Sequence, residues 1–255
     1  MNINKKKLVV FDLDGTLTES KSPMDQVMAD LLVQLLEKKM VAIISGGAFG
    51  QFEKQLMPVL HCSDNLFKKL FFFPTTGTRF YRYTDHWEQV YADEMTLVER
   101  TKIKEAFEKA FHDIDYHHPT QLFGDVIEDR GTQVTFSALG QEAPLELKKK
   151  WRDTQDRRRE IVDALKRYIP EFEIKIPGVT SIDVTRLGID KAYGIYQMEK
   201  WLGVTISGMI FVGDALHEGG NDYAAKIAGV ECIEVAGPID TKQLIQDWLR
   251  ELFGN

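Results

Sequence analysis

Asp12 and Asp14 stand two residues apart, directly before Gly15-Thr16 and directly after the apolar run Leu8-Val9-Val10-Phe11. Carboxylates at that spacing leave the same side of a strand end. Gly15 lets the backbone turn sharply beside them. One carboxylate can then act as a nucleophile and the other can carry a proton, while both offer oxygen to a hard cation. Asp-Gly turns also close many strands that do no chemistry, so the motifs downstream decide between the two.

Three such motifs follow in order. Ser45-Gly46-Gly47 closes a second apolar run, Met40-Val41-Ala42-Ile43-Ile44; a hydroxyl and two glycine amides suit phosphate oxygens. Lys191 opens a helical stretch, where an ammonium can neutralise a phosphoryl group in transfer. Gly213-Asp214 closes the run Met209-Ile210-Phe211-Val212, and Gly219-Gly220-Asn221-Asp222 follows after a spacer. Asn221 and Asp222 can order the waters of an ion, or the lysine, from just outside the contact layer. Ligands of open α/β sheets bind beyond the carboxyl ends of the strands. Strands ending at Asp12, Ser45 and Asp214 therefore serve one crevice if they are neighbours, and their carboxylates suit Mg²⁺, which takes oxygen ligands.

The elements that must place these groups alternate strand and helix at both ends of the chain. Ser22-Pro23 reads as a cap and first-turn proline ahead of Met24, Val27, Met28, Leu31, Leu32, Leu35 and Leu36 at helical spacing. Leu70-Phe71-Phe72-Phe73 is a third buried strand, and this βαβαβ start predicts a parallel α/β sheet flanked by helices. Near residue 80 the style changes to a hairpin around Thr84-Asp85-His86, a helix over about 94–113, a strand over 134–139 and one long polar helix over about 145–168. Two strands then flank Pro177-Gly178. This middle stretch predicts an inserted α+β unit over 85–186, with the core formed by 1–84 and 187–255. The parallel style returns with a helix over 191–202, the strand ending at Asp214, a last strand over 231–235 and a C-terminal helix capped by Asp240.

The chain has 255 residues, of which 44% are hydrophobic and 28% charged, and a formal net charge of −7. That balance suits a soluble globular protein and argues against nonspecific nucleic-acid binding or anionic membranes. Cys62 and Cys232 form no Cys-x-x-Cys motif, no apolar run is long enough to span a bilayer, and the basic start Lys5-Lys6-Lys7 meets Asp12 too soon for a signal peptide. The cytoplasm is the expected compartment.

The ordered set Asp12-Leu13-Asp14-Gly15-Thr16, Ser45, Lys191 and Gly213-Asp214 with Asn221-Asp222 resembles the haloacid dehalogenase (HAD) superfamily of phosphoryl-transfer enzymes. Within it, Gly178 to Val184, then Gly188, Asp190 and Lys191, resemble eukaryotic-type phosphomannomutases. The resemblance implies a Rossmann-like core with an inserted cap, and a Mg²⁺-dependent reaction on a phosphorylated small molecule, with Asp12 as nucleophile and Asp14 as acid and base. It implies that Ser45, Lys191, Gly46 and Gly47 hold phosphoryl oxygens and that Asp12, the Asp14 backbone carbonyl and Asp214 hold the metal. Lys21, Arg130, Ser181 and Asp183 fall at substrate-binding positions of that family, and two copies are expected to pair through the cap.

Two departures stand out. Where the family carries further cap arginines, this chain aligns Pro119 and Gln141, neither of which offers a charged fork to a phosphate. Water as phosphoryl acceptor, hence a sugar-phosphate phosphatase, is the expected activity; a mutase is the alternative, and a noncatalytic sugar-phosphate sensor a second. His112, His117 and His118 match no standard metal spacing. Lys148-Lys149-Lys150 and Arg157-Arg158-Arg159 read as solvated helix faces.

Overall fold

The apolar runs become the buried middle of a sheet: Leu8–Asp12 (β1), Met40–Ile44 (β2) and Leu70–Phe73 (β3) run parallel in the computed structural model, which describes residues 2–254. Gln26–Lys38 (α1), Phe49–Gln55 (α2) and the short Asp64–Phe67 (α3) connect them. Arg79–Tyr83 (β4) and Trp87–Ala92 (β5) add an antiparallel hairpin to the β3 edge. After the inserted segment, Lys191–Leu202 (α7), Met209–Gly213 (β10), Tyr223–Ile227 (α8), Glu231–Glu234 (β11) and Pro238–Phe253 (α9) complete this unit. The insertion itself carries Leu97–Asp113 (α4), Ile127–Asp129 (β6), Val134–Ser137 (β7), Leu145–Gln155 (α5), Arg158–Tyr168 (α6), Phe172–Lys175 (β8) and Ser181–Arg186 (β9).

The core sheet has the order β11-β10-β1-β2-β3-β4-β5. β1 lies between β2 and β10, with Asp12 opposite Ile44 and Phe11 opposite Val212. The strand ends at Asp12, Ser45 and Asp214 are therefore neighbours, which is where a parallel sheet opens its crevice. Both faces are covered. Phe11, Leu35, Phe52, Phe72 and Trp248 pack on one side, and Val10, Ile44, Phe73, Ile195 and Met198 on the other.

The inserted unit is a four-stranded antiparallel sheet, β6-β7-β9-β8. Val134, Phe136, Ile182 and Val184 alternate onto the face packed by Phe107, Ile161 and Leu165 of α4 and α6. The intervening Thr135, Ser137, Ser181, Asp183 and Thr185 give the other face its polar character.

Several expectations are corrected. The chain divides into Met1–Ala92 with Asp190–Asn255, and Asp93–Ile189, not at 84/85 and 186/187, because β5 hydrogen-bonds to β4 and so belongs to the core sheet. Asp25, not Ser22, caps α1 by accepting from the Met28 N–H at 3.0 Å. The polar helix over 145–168 is two helices. Asp156 leaves helical geometry (φ −65°, ψ 109°) and its carboxylate accepts from the Arg158 N–H at 3.0 Å, starting α6 afresh. Asp240 lies within the first turn of α9, behind Pro238, and reaches back to the Ala236 N–H at 3.1 Å.

The basic runs are not wholly solvated either. Lys148 is buried and donates to the Gln141 carbonyl at 2.9 Å. Arg158 is buried on Asp156 and the Gly178 carbonyl. Among the described residues no helix is long and apolar enough to cross a membrane.

Candidate active site

Asp12 ends β1 buried, and it meets Lys191 from the first turn of α7 in a close ion pair. Lys191 reaches that point because α7 packs very near the sheet. Gly77 and Gly194 face each other so closely that a Cβ on Gly77 would lie 2.7 Å from the Gly194 Cα. Asp190 caps α7 by accepting from the Tyr193 N–H at 3.0 Å, which fixes the turn that carries the lysine. The Lys191 ammonium also lies 3.1 Å from Asp222 Oδ1 and donates to the Ile44 carbonyl at 3.3 Å. It stands 5.6 Å from the Phe211 ring centroid.

Asp214 completes the cluster from the end of β10. Carboxylate oxygens of Asp12, Asp214 and Asp222 all lie within 4.8 Å of one another. Two glycines make room for them: a side chain on Gly15 would collide with the Asp214 carboxylate, and one on Gly213 with that of Asp222. Gly15 also takes φ +90°, a region open to few side chains. Asp222 is fully buried, and Ala215 N–H donates to its Oδ2 at 3.3 Å.

Three carboxylates thus face one ammonium. Burial pushes the Asp12 carboxyl well above the usual range; Lys191 opposes this, while Asp222 and Asp14 add to it. Burial and the Asp222 charge likewise push Asp214 upward. Burial works against the Lys191 ammonium, but Asp12 and Asp222 outweigh it and keep it charged. Oxygen-only donors with two unbalanced negative charges fit a hard divalent cation, so the residues present suit a metal ion.

Ser45 ends β2, buried, and its Oγ accepts from the Gly47 N–H at 3.1 Å. The strand end is locked from behind by Thr75 and Thr76. Their N–H groups donate to the Gly47 and Ser45 carbonyls, each at 2.8 Å. Both threonines sit at positive φ, +48° and +59°. Adjacent β-branched residues seldom adopt that conformation, which costs of order 1–3 kcal/mol per residue.

Asp14 is only partly buried, and both of its oxygens accept hydrogen bonds. Gln51 Nε2 donates to Oδ2 at 2.6 Å, Gln55 Nε2 to Oδ1 at 3.3 Å, and the Lys21 backbone N–H to Oδ1 at 2.5 Å. The Lys21 side chain is exposed; its backbone is what touches Asp14.

Asp12, Asp214, Asp222 and Lys191 are therefore brought together, with Ser45 on the adjoining strand end. Asp222, expected behind the metal ligands, stands among them. Asn221 is exposed. His217 is exposed, 3.9 Å from Glu234. In the inserted unit, Arg130 donates to Glu128 Oε2 through Nε at 2.9 Å and Nη2 at 2.6 Å, and to Gln141 Oε1 at 3.4 Å. Asp183 Oδ1 accepts from the Thr135 hydroxyl at 2.8 Å, and Ser181 is buried two residues earlier on β9. Gln51 and Gln55 escaped sequence reasoning. Their signal is two glutamines four residues apart, one helical face, just after Ser45-Gly46-Gly47.

The chain is similar to known phosphomannomutases in sequence and to known phosphatases in fold. The family model described as eukaryotic phosphomannomutase matches residues 28–251. A phosphomannomutase of Encephalitozoon cuniculi is 26% identical over 98% of this chain and 96% of its own. One of Schizosaccharomyces pombe is 28% identical over 86% of this chain and 84% of its own. Among solved structures, an IMP-nucleotidase of Plasmodium falciparum superposes with a TM-score of 0.68 at 17% identity, covering 98% of this chain and 68% of that one. A trehalose-6-phosphate phosphatase of Aspergillus fumigatus gives 0.56 at 18% identity, covering 96% and 93%. The fold is that of the HAD enzymes.

Proposed function

Because the chain belongs to the eukaryotic phosphomannomutase family, we propose that it takes a phosphoryl group from a sugar phosphate by way of an aspartyl-phosphate at Asp12. It is an enzyme of the phosphatase and phosphomutase class. One observation carries the mechanism: a buried Asp12 held by Lys191 at the carboxyl end of the sheet, beside Asp214 and Asp222. Asp12, Asp214 and the Asp14 carbonyl, with Asp222 alongside, would hold a Mg²⁺ ion, which would supply positive charge against the phosphoryl group.

Asp12 attacks phosphorus in line, and the bond from phosphorus to the sugar oxygen breaks. Asp14 gives its proton to that oxygen as it leaves. It then takes a proton from the acceptor that attacks the aspartyl-phosphate, which frees Asp12. Lys191 and the Ser45 hydroxyl, with the Gly46 and Gly47 amides, hold the phosphoryl oxygens. Asp222 keeps Lys191 charged and in place. Arg130, Ser181 and Asp183 are the substrate contacts assigned to the inserted unit, with Asp183 accepting from sugar hydroxyls.

Water is the acceptor in this reading. A mutase must hold its sugar phosphate in two orientations and exclude water. Gln141 and Pro119, at positions where the resemblance has arginines, weaken that grip. A mutase is the second reading, and one feature favours it beside the family match. Lys148 is buried against Gln141 and restores a cation at that place in the inserted unit.

The test is turnover of mannose 1-phosphate with Mg²⁺, with and without a hexose 1,6-bisphosphate. Free phosphate accumulating in step with substrate loss is expected. Fast isomerisation with little phosphate released overturns hydrolysis in favour of the mutase. Tight binding of hexose phosphates without turnover of any of them overturns both.

A further inference from the structure

Among the described residues Asp14 is the one carboxylate at the site whose two oxygens both accept from amide N–H groups, and those donors come from two segments. α2 sends Gln51 to Oδ2 and Gln55 to Oδ1, while the loop after β1 sends the Lys21 N–H to Oδ1. A carboxylate bonded through both oxygens cannot turn about its own axis. Asp14 needs that restraint, because it is only partly buried and, among the described residues, no cation pairs with it as Lys191 pairs with Asp12.

The local sequence builds the restraint. Gln51 and Gln55 are four apart on α2 and so share a face. A side chain on Gly47 would collide with the Gln51 amide, so this glycine makes room for Gln51 to lie over the strand end. Gln55 is buried, and the two N–H bonds of its Nε2 are shared among Asp14 Oδ1 at 3.3 Å, the Thr18 hydroxyl at 3.0 Å and the Ser22 carbonyl at 2.8 Å, the loop contacts being the shorter. Lys21 holds φ +54°, a conformation that persists where the surroundings impose it.

Gln55 therefore ties the loop as well as touching Asp14. The Gln51 side chain donates to Asp14 alone. Had the loop needed only a tether, Gln55 would suffice. Gln51 adds the short bond to the second oxygen.

We propose that Gln51 is a positioning residue for proton transfer: it fixes the direction of the Asp14 carboxylate, with Gln55 as its rigid backing. The inference rests on the phosphoryl-transfer reading of the Asp12 cluster. It assigns Gln51 a function in the rate and none in substrate affinity. Misdirecting an acid or base forfeits part of the hundredfold or more that such a group contributes.

The experiment compares the wild type, Gln51→Met, Asp14→Asn and the double variant by single-turnover kinetics on mannose 1-phosphate and on 4-nitrophenyl phosphate, with Gln51→Leu as a second truncation. Gln51→Met is expected to slow sugar release from mannose 1-phosphate about ten- to a hundredfold, with KM within about threefold. Release of 4-nitrophenolate, which needs no proton, is expected to slow less than about threefold. In the Asp14→Asn background the Gln51 substitution should change sugar release by less than about twofold, because the group it aims is gone.

An equal loss on both substrates, an undiminished loss in the Asp14→Asn background, or a loss seen in KM alone overturns the inference. So does full activity in both truncations. Asp12→Asn separates this from failure of the underlying reading. If that variant still turns over, the phosphoryl-transfer mechanism falls and the inference with it; if it is inactive while Gln51 fails its tests, only the inference falls.

Discussion

At the carboxyl end of the core sheet, Asp12, Asp214 and Asp222 face Lys191, and negative charge is left over. In the inserted unit two largely buried arginines each meet a carboxylate, and a buried lysine meets a backbone carbonyl. Arg130 lies on Glu128, Arg158 on Asp156, and Lys148 on the Gln141 carbonyl. Burying unmatched charge costs several kcal/mol per ion, so the core cluster is maintained against stability, and its excess is where the proposed function puts a cation and a phosphoryl group. The matched pairs hold a shape that can present groups to a substrate. The proposed function gives chemistry to the core and selection to the insertion, and each half of that proposal can be broken separately.

Removing Lys191 should have the largest effect. Lys191→Met leaves Asp12 and Asp222 buried without a counter-charge, so unfolding free energy without metal should fall by about 3–5 kcal/mol. Turnover should drop at least about a thousandfold. Urea denaturation and steady-state assays check both; unchanged stability would mean that the pair is not held as described. Chelating divalent metal should abolish activity and restored Mg²⁺ should return it. At about a hundredfold excess over Kd, Mg²⁺ should also raise stability by about 2.7 kcal/mol. If Asp214→Asn gains as much from Mg²⁺ as the wild type, the ion binds elsewhere.

The inserted unit should respond differently. Arg130→Ala should raise KM for a sugar phosphate about tenfold and change kcat less than about threefold. A loss confined to kcat would erase the division of labour.

The smallest effect tests a matched pair for its own sake. Glu99 closes a capping box with Thr96 and receives a fork from Arg186, whose Nε and Nη2 donate at 2.9 Å each. Arg186 and the Thr96 N–H hold the Glu99 carboxyl down at about 2. A depressed carboxyl stabilises the fold above its unfolded pKa, near 4.5, and that contribution is lost as pH falls toward 2. Glu99→Gln should cost about 1 kcal/mol at pH 7, allowing for solvent screening. The difference from wild type should narrow below about pH 4 in urea titrations.

The same contrast explains what could be read in advance. The core motifs were legible because each closes a continuously apolar strand, so sequence position fixes spatial position once the strands are neighbours. Lys191 was legible as a lysine opening a helix. Gln51 and Gln55 were not, since a neutral amide on a helix carries no chemical signature until its acceptor is known. Asp222 was placed too far out because the loop after Asp214 folds back, with the Asp222 N–H donating to the Ala215 carbonyl at 3.2 Å. In the insertion, Lys148 and Arg158 looked solvated because charge runs on helices usually are. Only the break at Asp156, set by one side chain's hydrogen bond, turns Arg158 inward.

The most direct test of the account is acid-quench trapping of the enzyme during turnover of a labelled sugar phosphate with Mg²⁺, followed by peptide mapping. The account predicts phosphorus on the Asp12 side chain within the first turnover and none in Asp12→Asn. Brisk product formation with no label on Asp12, or with label on another residue, would contradict it.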